Sequence, residues 1–340
     1  MLYELEFATG LRSVVEDELK TILHTGDRVI DAPREDALTI RYNGNPATLL
    51  DLRTVISVYR LLRYDVPRPK ALLGHETFHD MLGLIGEIIR TNRDTKPYMS
   101  LYISAAGSDS SVMVRIKDEL SQALGLVVAE DEGDLLLRIR RTPRTDKGWD
   151  VLVRMTPRPL ATRDWRICNY EGALNASVAA GMVKLTNPTA SDRFLNIMCG
   201  SGTIMIERAH YPAQWITGCD ISTEAIACTR ANMADVEQGI EVQVADAMQL
   251  PYPNASMDVI AVDLPFGRLV GSHDENEWLY PAVLQEAARV ANVGARCVAI
   301  THEITLMREV LDTLSVWRVV SEQKITLSGL HPRIFVMERQ

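Results

Sequence analysis

The sequence predicts an α/β protein, with a doubly wound, mostly parallel sheet of seven strands over residues 172–340 and smaller α+β modules over residues 1–156. Three observations carry this expectation. From about residue 170, short apolar runs alternate with helix-periodic segments, the pattern of parallel strands covered on both faces. Before residue 155 the strands are shorter and several follow one another directly, as antiparallel returns do in α+β arrangements. Between the halves, Thr156-Pro157-Arg158-Pro159 interrupts both patterns.

Taken in order, Leu2–Ala8 alternates apolar and acidic residues and reads as a strand, not a signal peptide. Leu11–Leu23 follows as a helix with Val14, Val15, Leu19 and Ile22 on one stripe. Strands over Arg28–Ala32 and Ala37–Tyr42, then helices over Pro46–Arg53 and Thr77–Arg90, complete a ferredoxin-like module with its connection, residues 1–97. A second module spans 98–156. It has a strand at Met99–Ala105 and a helix at Ser110–Leu124, with Val112, Ile116, Leu120 and Leu124 in register, Ser110 or Ser111 as N-cap and Gly125 as stop. Strands Leu135–Arg140 and Trp149–Met155 close it, and 157–171 is a linker. The C-terminal strands are Phe194–Met198, Trp215–Asp220, Glu241–Ala245, Met257–Asp263, Ala295–Thr301, Trp317–Thr326 and Ile334–Glu338. Helices fit Gly172–Leu185, Thr203–His210, Thr223–Ala234, Leu279–Ala291 and Ile304–Leu314. The last two strands form a hairpin, with one strand of the sheet reversed.

Length and composition agree with this division. A chain of 340 residues is comfortable for two or three domains, and 46% hydrophobic with 24% charged residues is ordinary globular composition. No apolar run approaches the roughly 18 residues needed to span a bilayer. Five cysteines without a Cys-x-x-Cys pair argue against a disulfide framework or a metal site, and for the reducing cytoplasm. Nothing in the sequence calls for an obligate protein partner. A net charge of −9 does not advertise nucleic-acid binding, but phosphates are met by local clusters. The most basic stretch holds Arg138, Arg140, Arg141, Arg144, Lys147, Arg154, Arg158, Arg163 and Arg166, opposed only by Asp146, Asp150 and Asp164.

Ligands of doubly wound sheets bind beyond the carboxyl ends of the strands. The first C-terminal strand runs from Asn196 through Met198, Cys199, Gly200, Ser201 and Gly202 into a helix at Thr203. Its glycines allow a tight turn and close approach, while the helix start offers unpaired N–H groups. Met205 stands where a dinucleotide-binding loop needs its third glycine, so the loop suits a ligand without a pyrophosphate, such as adenosylmethionine. Asp220, followed by Ile221, ends the second strand and can accept from ribose hydroxyls. Asp246, followed by Ala247, ends the third and can accept from an adenine amine.

The fourth strand runs into Asp263-Leu264-Pro265-Phe266. A base amine is a weak nucleophile, because its lone pair is delocalised into the ring. It needs acceptors for its N–H groups and an in-line approach to the carbon it attacks. The Asp263 carboxylate and the carbonyl of Leu264 or Pro265 can accept, Pro265 stiffens the chain, Phe266 can stack on the base, and Asp263 can receive the released proton.

On these residues the C-terminal half resembles the Rossmann-fold methyltransferases that modify amines through an Asp/Asn-Pro-Pro-Tyr/Phe motif. Together with Gly172–Val183 and Met198–Thr203, the whole chain is similar to the THUMP-domain RNA guanine-N2-methyltransferases. Ala8-Thr9-Gly10-Leu11 resembles that family's opening. The resemblance implies a THUMP module at 98–156, a Rossmann-like methyltransferase domain at 172–340 and S-adenosyl-L-methionine as cofactor. It also implies tRNA as partner, gripped at its acceptor stem and 3′ end and methylated at guanosine 6. Methylation of a ribosomal RNA guanine or an adenine N6, or binding of RNA without catalysis, are the alternatives. The chain has Asn196-Ile197 where the family has Asp-Pro, which removes a charge facing the cofactor's ammonium, and Leu264 replaces a proline. Arg158, Arg163, Trp165 and Arg166 in the linker, with Arg268 beside the active strand, are the candidate RNA contacts.

Overall fold

The computed structural model describes residues 1–92, 97–143, 145, 147–266, 272–326 and 329–340. They form two units, one of Met1–Phe7 with Leu19–Leu160, the other of Ala8–Glu18 with Ala161–Gln340.

The N-terminal half of the chain contributes β1 (Leu2–Glu6), α1 (Arg12–Leu19), β2 (Arg28–Arg34), β3 (Ala37–Arg41), β4 (Ser57–Tyr64), α2 (His75–Thr91), β5 (Ser100–Ala105), α3 (Ser111–Leu124), β6 (Val127–Val128), β7 (Leu135–Arg141) and β8 (Trp149–Arg154). Among the described residues the strands make one sheet in the order β2-β3-β1-β4-β8-β7-β5-β6. Its first four strands are mutually antiparallel, in the arrangement of a ferredoxin-like module, with a 3-10 turn at Pro46–Asp51 in place of the second helix. The sheet runs unbroken past residue 97, because β4 pairs with β8.

β4 has no counterpart in the sequence reading. It lies between β1 and β8, with Ser57, Val58, Tyr59 and Leu61 all buried. Its arginines are absorbed by neighbours: Arg60 lies over the Tyr3 ring and Arg63 pairs with Asp150. A strand covered on both faces loses the period-two alternation by which sequence reveals strands. α3 behaves as expected. The Ser110 hydroxyl accepts from Met113 N–H, and Gly125 closes the helix at φ 69°.

The second unit contains α4 (Ala176–Leu185), β9 (Arg193–Ile197), α5 (Thr203–Arg208), β10 (Trp215–Asp220), α6 (Thr223–Asn232), β11 (Glu241–Val244), β12 (Met257–Asp263), α7 (His273–Val290), β13 (Ala291–Thr301), α8 (Ile304–Thr313), β14 (Trp317–Lys324) and β15 (Arg333–Arg339). Its seven-stranded sheet has the order β11-β10-β9-β12-β13-β15-β14. β9 to β13 are parallel, and β15 is the reversed strand, antiparallel to β13 and β14. Tyr280, Val283, Leu284 and Met307 from α7 and α8 cover one face. Leu11, Val14, Val178, Met182, Ile204 and Met205 cover the other. A Cβ on Gly218 of β10 would lie 2.3 Å from the Met205 sulfur, so the close helix–strand contact uses a glycine on the strand and a methionine on the helix. α7 starts six residues before the expected Leu279. Ser272 and Glu275 form a capping box, which leaves Pro281 inside the helix and not in its first turn.

Strand order reverses between β9 and β12, the switch point at which such sheets bind ligands.

Candidate active site

β9 buries Phe194, Leu195, Asn196 and Ile197, and the chain then turns sharply. Met198 is held at φ 53°, a left-handed conformation that costs a non-glycine residue about 1–2 kcal/mol. Cys199 N–H bonding to the Cys219 carbonyl fixes the turn. Gly200 and Gly202 follow at φ 53° and 80°, and a Cβ on Gly202 would sit 2.7 Å from Thr229 Cγ2. Ser201 and Thr203 are buried at the start of α5.

At the end of β10, the Asp220 carboxylate accepts from Gly200 N–H at 2.9 Å and from Ser222 N–H at 3.0 Å. The residue proposed to face the cofactor therefore also shapes the glycine loop. Ile221 beside it is 69% exposed, an apolar side chain with room for a flat partner. Ala245 N–H bonds the Asp220 carbonyl, which brings Asp246 and the buried Ala247 to the neighbouring strand end. Asp246 accepts from Met248 N–H.

On adjacent β9 and β12 two buried oxygens face no donor. Asn196 Nδ2 donates to the Ala261 and Ile197 carbonyls, but its Oδ1 has no hydrogen-bond partner among the described residues. Asp263 Oδ1 is likewise buried without a partner among them, and burial pushes this carboxyl up to about 7. Buried acceptors are normally satisfied, and exceptions concentrate where a ligand completes them.

Leu264 and Pro265 are buried after Asp263, and Leu264 N–H bonds the Ile300 carbonyl. The Pro265 carbonyl accepts from Asn276 Nδ2 at 3.0 Å and the Tyr280 hydroxyl at 2.7 Å. Both its lone pairs are thus committed to α7, which removes it from the two carbonyls expected to accept from an amine. Phe266 meets the edge of His302, ring centroids 4.5 Å apart. Asn276 and Tyr280 were not foreseen. Their only trace in the sequence is a polar pair four residues apart on the apolar stripe of α7. Arg268 lies outside the described residues.

The linker corrects the sequence reading twice. Arg158 is exposed, but Arg163 is buried in an ion pair with Glu207, Nε to Oε1 2.9 Å. Trp165 is half-buried, and Arg166 donates to the Leu174 carbonyl and to Thr203 Oγ1 at the start of α5. Asn232 of α6 accepts from Ile167 and Cys168 N–H and donates to the Cys168 and Ser201 carbonyls. Cys168 is disulfide-bonded to Cys228, against the expectation that no cysteines pair. The two stand 60 positions apart, so no spacing pattern shows it. Upstream the charge pattern misleads for a similar reason. Arg138 pairs with Glu6 and Arg140 with Glu4, 132 and 136 positions away, while Arg154 donates to the Gly133, Thr156 and Pro157 carbonyls. These cations hold the fold. They do not form an open basic track.

The mouse tRNA (guanine(6)-N(2))-methyltransferase THUMP3 is 31% identical over 185 residues, 49% of this chain and 36% of that protein. The tRNA (guanine(6)-N2)-methyltransferase of Thermus thermophilus is 27% identical over 66% of each chain. The chain therefore spans about a third and about two thirds of the lengths of these relatives. The crystal structure of TrmN from Thermus thermophilus superposes with a TM-score of 0.75 at 22% identity, covering 100% of this chain and 99% of that one, so the fold is shared over the whole length. Residues 163–333 match the UPF0020 family, the RMKL-like methyltransferase domain, and the chain belongs to that family.

Proposed function

We propose that the protein methylates the exocyclic N2 amine of a guanine in tRNA, guanosine 6 of the acceptor stem, with S-adenosyl-L-methionine as donor. The observation that carries the chemistry is the pair of unsatisfied oxygens, Asn196 Oδ1 and Asp263 Oδ1, on neighbouring strands at the switch point. The names of the relatives support guanine in tRNA as the acceptor.

The strand ends fit this cofactor group by group. Asn196 Oδ1 accepts from an ammonium, Asp220 from ribose hydroxyls, Ile221 offers an apolar face to adenine, and Asp246 accepts from its amine. When bound, the cofactor supplies a methyl carbon made electrophilic by its sulfonium.

The remaining work belongs to the chain. Asp263 and the Leu264 carbonyl accept the two N–H groups of the amine, which aims its lone pair at the methyl carbon. Phe266, braced by His302, stacks on the base. Asp263, whose carboxyl is held near 7 by burial, would receive at neutral pH the proton the amine loses when the methyl group passes from sulfur to nitrogen. A guanine in a stem must leave its pair before its amine can reach this site. In our reading residues 98–156 are the THUMP-type module that holds the 3′ end of the acceptor stem, and the protein acts in the cytoplasm. No helix among the described residues is long and apolar enough to cross a membrane.

Methylation of unmodified tRNA transcripts, with the product nucleoside identified and mapped, tests this. N2-methylguanosine at position 6 is expected. N6-methyladenosine, or methyl transfer only to ribosomal RNA, would overturn the assignment.

A further inference from the structure

Residues 166–170 carry no helix or strand, yet they contact the glycine loop, the start of α5 and the start of α6 in the C-terminal unit. Arg166 reaches Thr203 at the start of α5, and the Tyr170 hydroxyl donates to Ser222 Oγ at 3.2 Å, two residues past Asp220. Asn232 joins residues 167 and 168 to the Ser201 carbonyl of the glycine loop. Cys228 lies one turn before Asn232 on α6, so the disulfide and the amide hold the same point of the segment.

We propose that residues 166–170 are a strap on the cofactor loop and that the Cys168–Cys228 disulfide is its redox-sensitive latch, favouring cofactor binding when closed and weakening it when reduced. This rests on the cofactor reading above. With the disulfide intact, the strap is already ordered against Ser201 and Thr203. Once the bond is broken, the hydrogen bonds of Arg166, Asn232 and Tyr170 must order an irregular segment without a covalent tie, and cofactor binding has to offset the added conformational entropy.

The chemistry is localised. Cys228 is buried, whereas Cys168 is half-buried and is the less enclosed end of the bond. An external thiolate attacks Cys168 Sγ and releases the Cys228 thiolate, which takes up a proton. A second thiolate then attacks the external sulfur of this mixed disulfide and releases the Cys168 thiolate, which is protonated in turn, so two thiols leave as a disulfide and two electrons and two protons enter the protein. The remaining cysteines, 199, 219 and 297, are buried with thiols pushed upward by burial, which makes them poor competitors for exchange.

Calorimetric titration of the full chain with S-adenosylhomocysteine tests the latch in three states: air-oxidised, reduced with dithiothreitol, and the Cys168→Ser/Cys228→Ser variant. The reduced protein is expected to bind about 5–10-fold more weakly than the oxidised one, a typical coupling between linked sites. The variant should match the reduced protein and ignore dithiothreitol, and re-oxidation should restore the wild type. Linkage requires the reciprocal effect, so saturating ligand should make the disulfide harder to reduce by the same factor. Equal affinity in both redox states, a variant that still responds to dithiothreitol, or Cys168 and Cys228 found as free thiols in the air-oxidised chain would each overturn the proposal. Should the serine variant be unstable, the reversible wild-type comparison decides. An oxidised chain that binds no S-adenosylhomocysteine at all defeats the cofactor reading itself, an outcome separate from loss of redox sensitivity alone.

Discussion

Glu207 on α5 and Asp263 at the end of β12 are both acids inside the C-terminal unit, and their surroundings treat them differently. Glu207 receives the Arg163 guanidinium through two contacts, Nε to Oε1 at 2.9 Å and Nη2 to Oε2 at 3.5 Å. Asp263 keeps one buried oxygen with no donor among the described residues, and desolvation pushes its carboxyl up to about 7. A buried charge with its counter-charge is held for the fold. A buried acid without one sits in a state that only chemistry or a ligand can use.

Asp263→Asn is the substitution that breaks the comparison most sharply. It keeps the shape, removes the charge and replaces one acceptor oxygen by a donor. We expect kcat on tRNA to fall by about 1,000-fold, within the range for loss of a positioned acid–base group, with S-adenosylhomocysteine affinity unchanged. In the wild type, log kcat should climb with pH below about 7 and level off above it, because only the ionised carboxylate accepts both N–H and proton. Stability should run the other way. The unfolded carboxyl titrates near 3.8 and the folded one near 7, so folding is penalised progressively as pH rises from about 4 to about 7 and the full penalty persists above. The asparagine variant should therefore melt above the wild type at pH 8 and gain nothing at pH 4. A variant that retains wild-type turnover would mean that the amine is held elsewhere.

Glu207→Gln tests the other member of the comparison. It removes the carboxylate charge facing the buried Arg163 cation and should cost about 3–5 kcal/mol in denaturant unfolding. Replacing both partners by apolar residues, Arg163→Met with Glu207→Leu, should recover most of that loss, because no uncompensated charge then remains. Turnover per folded molecule should change far less than for Asp263→Asn. A loss of kcat comparable to that of Asp263→Asn in a fully folded Glu207→Gln protein would show that the pair acts in catalysis after all.

The same contrast explains what was legible in the sequence. Glycine loop, Asp220, Asp246 and Asp263-Leu264-Pro265-Phe266 follow their strands directly, so local order in the chain placed them at one end of the sheet. Features made by distant partners were not visible. Arg138 and Arg140 look like a nucleic-acid patch until Glu6 and Glu4 arrive from the first strand. Cys168 looks unpaired until α6 brings Cys228 to it. β4 is hidden because burial on both faces erases its alternation, and the first turns of α7 are hidden because they are polar and only the Ser272–Glu275 box marks their start.

The smallest expected effect concerns the linker, where the sequence treats Arg158 and Arg163 as equivalent RNA contacts and the structure separates them. Arg158 is exposed, so any service to RNA is electrostatic and screened. One phosphate contact contributes about 0.9 to the slope of log K against log salt on a duplex. Arg158→Ala should therefore lower tRNA affinity only a few-fold at low salt, reduce that slope by about one, and leave unfolding within about 0.5 kcal/mol of wild type. Arg163→Ala should show the inverse profile, a large loss of stability from removal of the buried ion pair with Glu207 and an unchanged salt slope in the molecules that remain folded. Filter binding across a salt series, run beside denaturant unfolding, places both variants on the same two axes. If Arg158→Ala left the slope intact, the phosphate path would lie away from the linker, and the cations from Arg158 to Arg166 would all belong to the architecture of the fold.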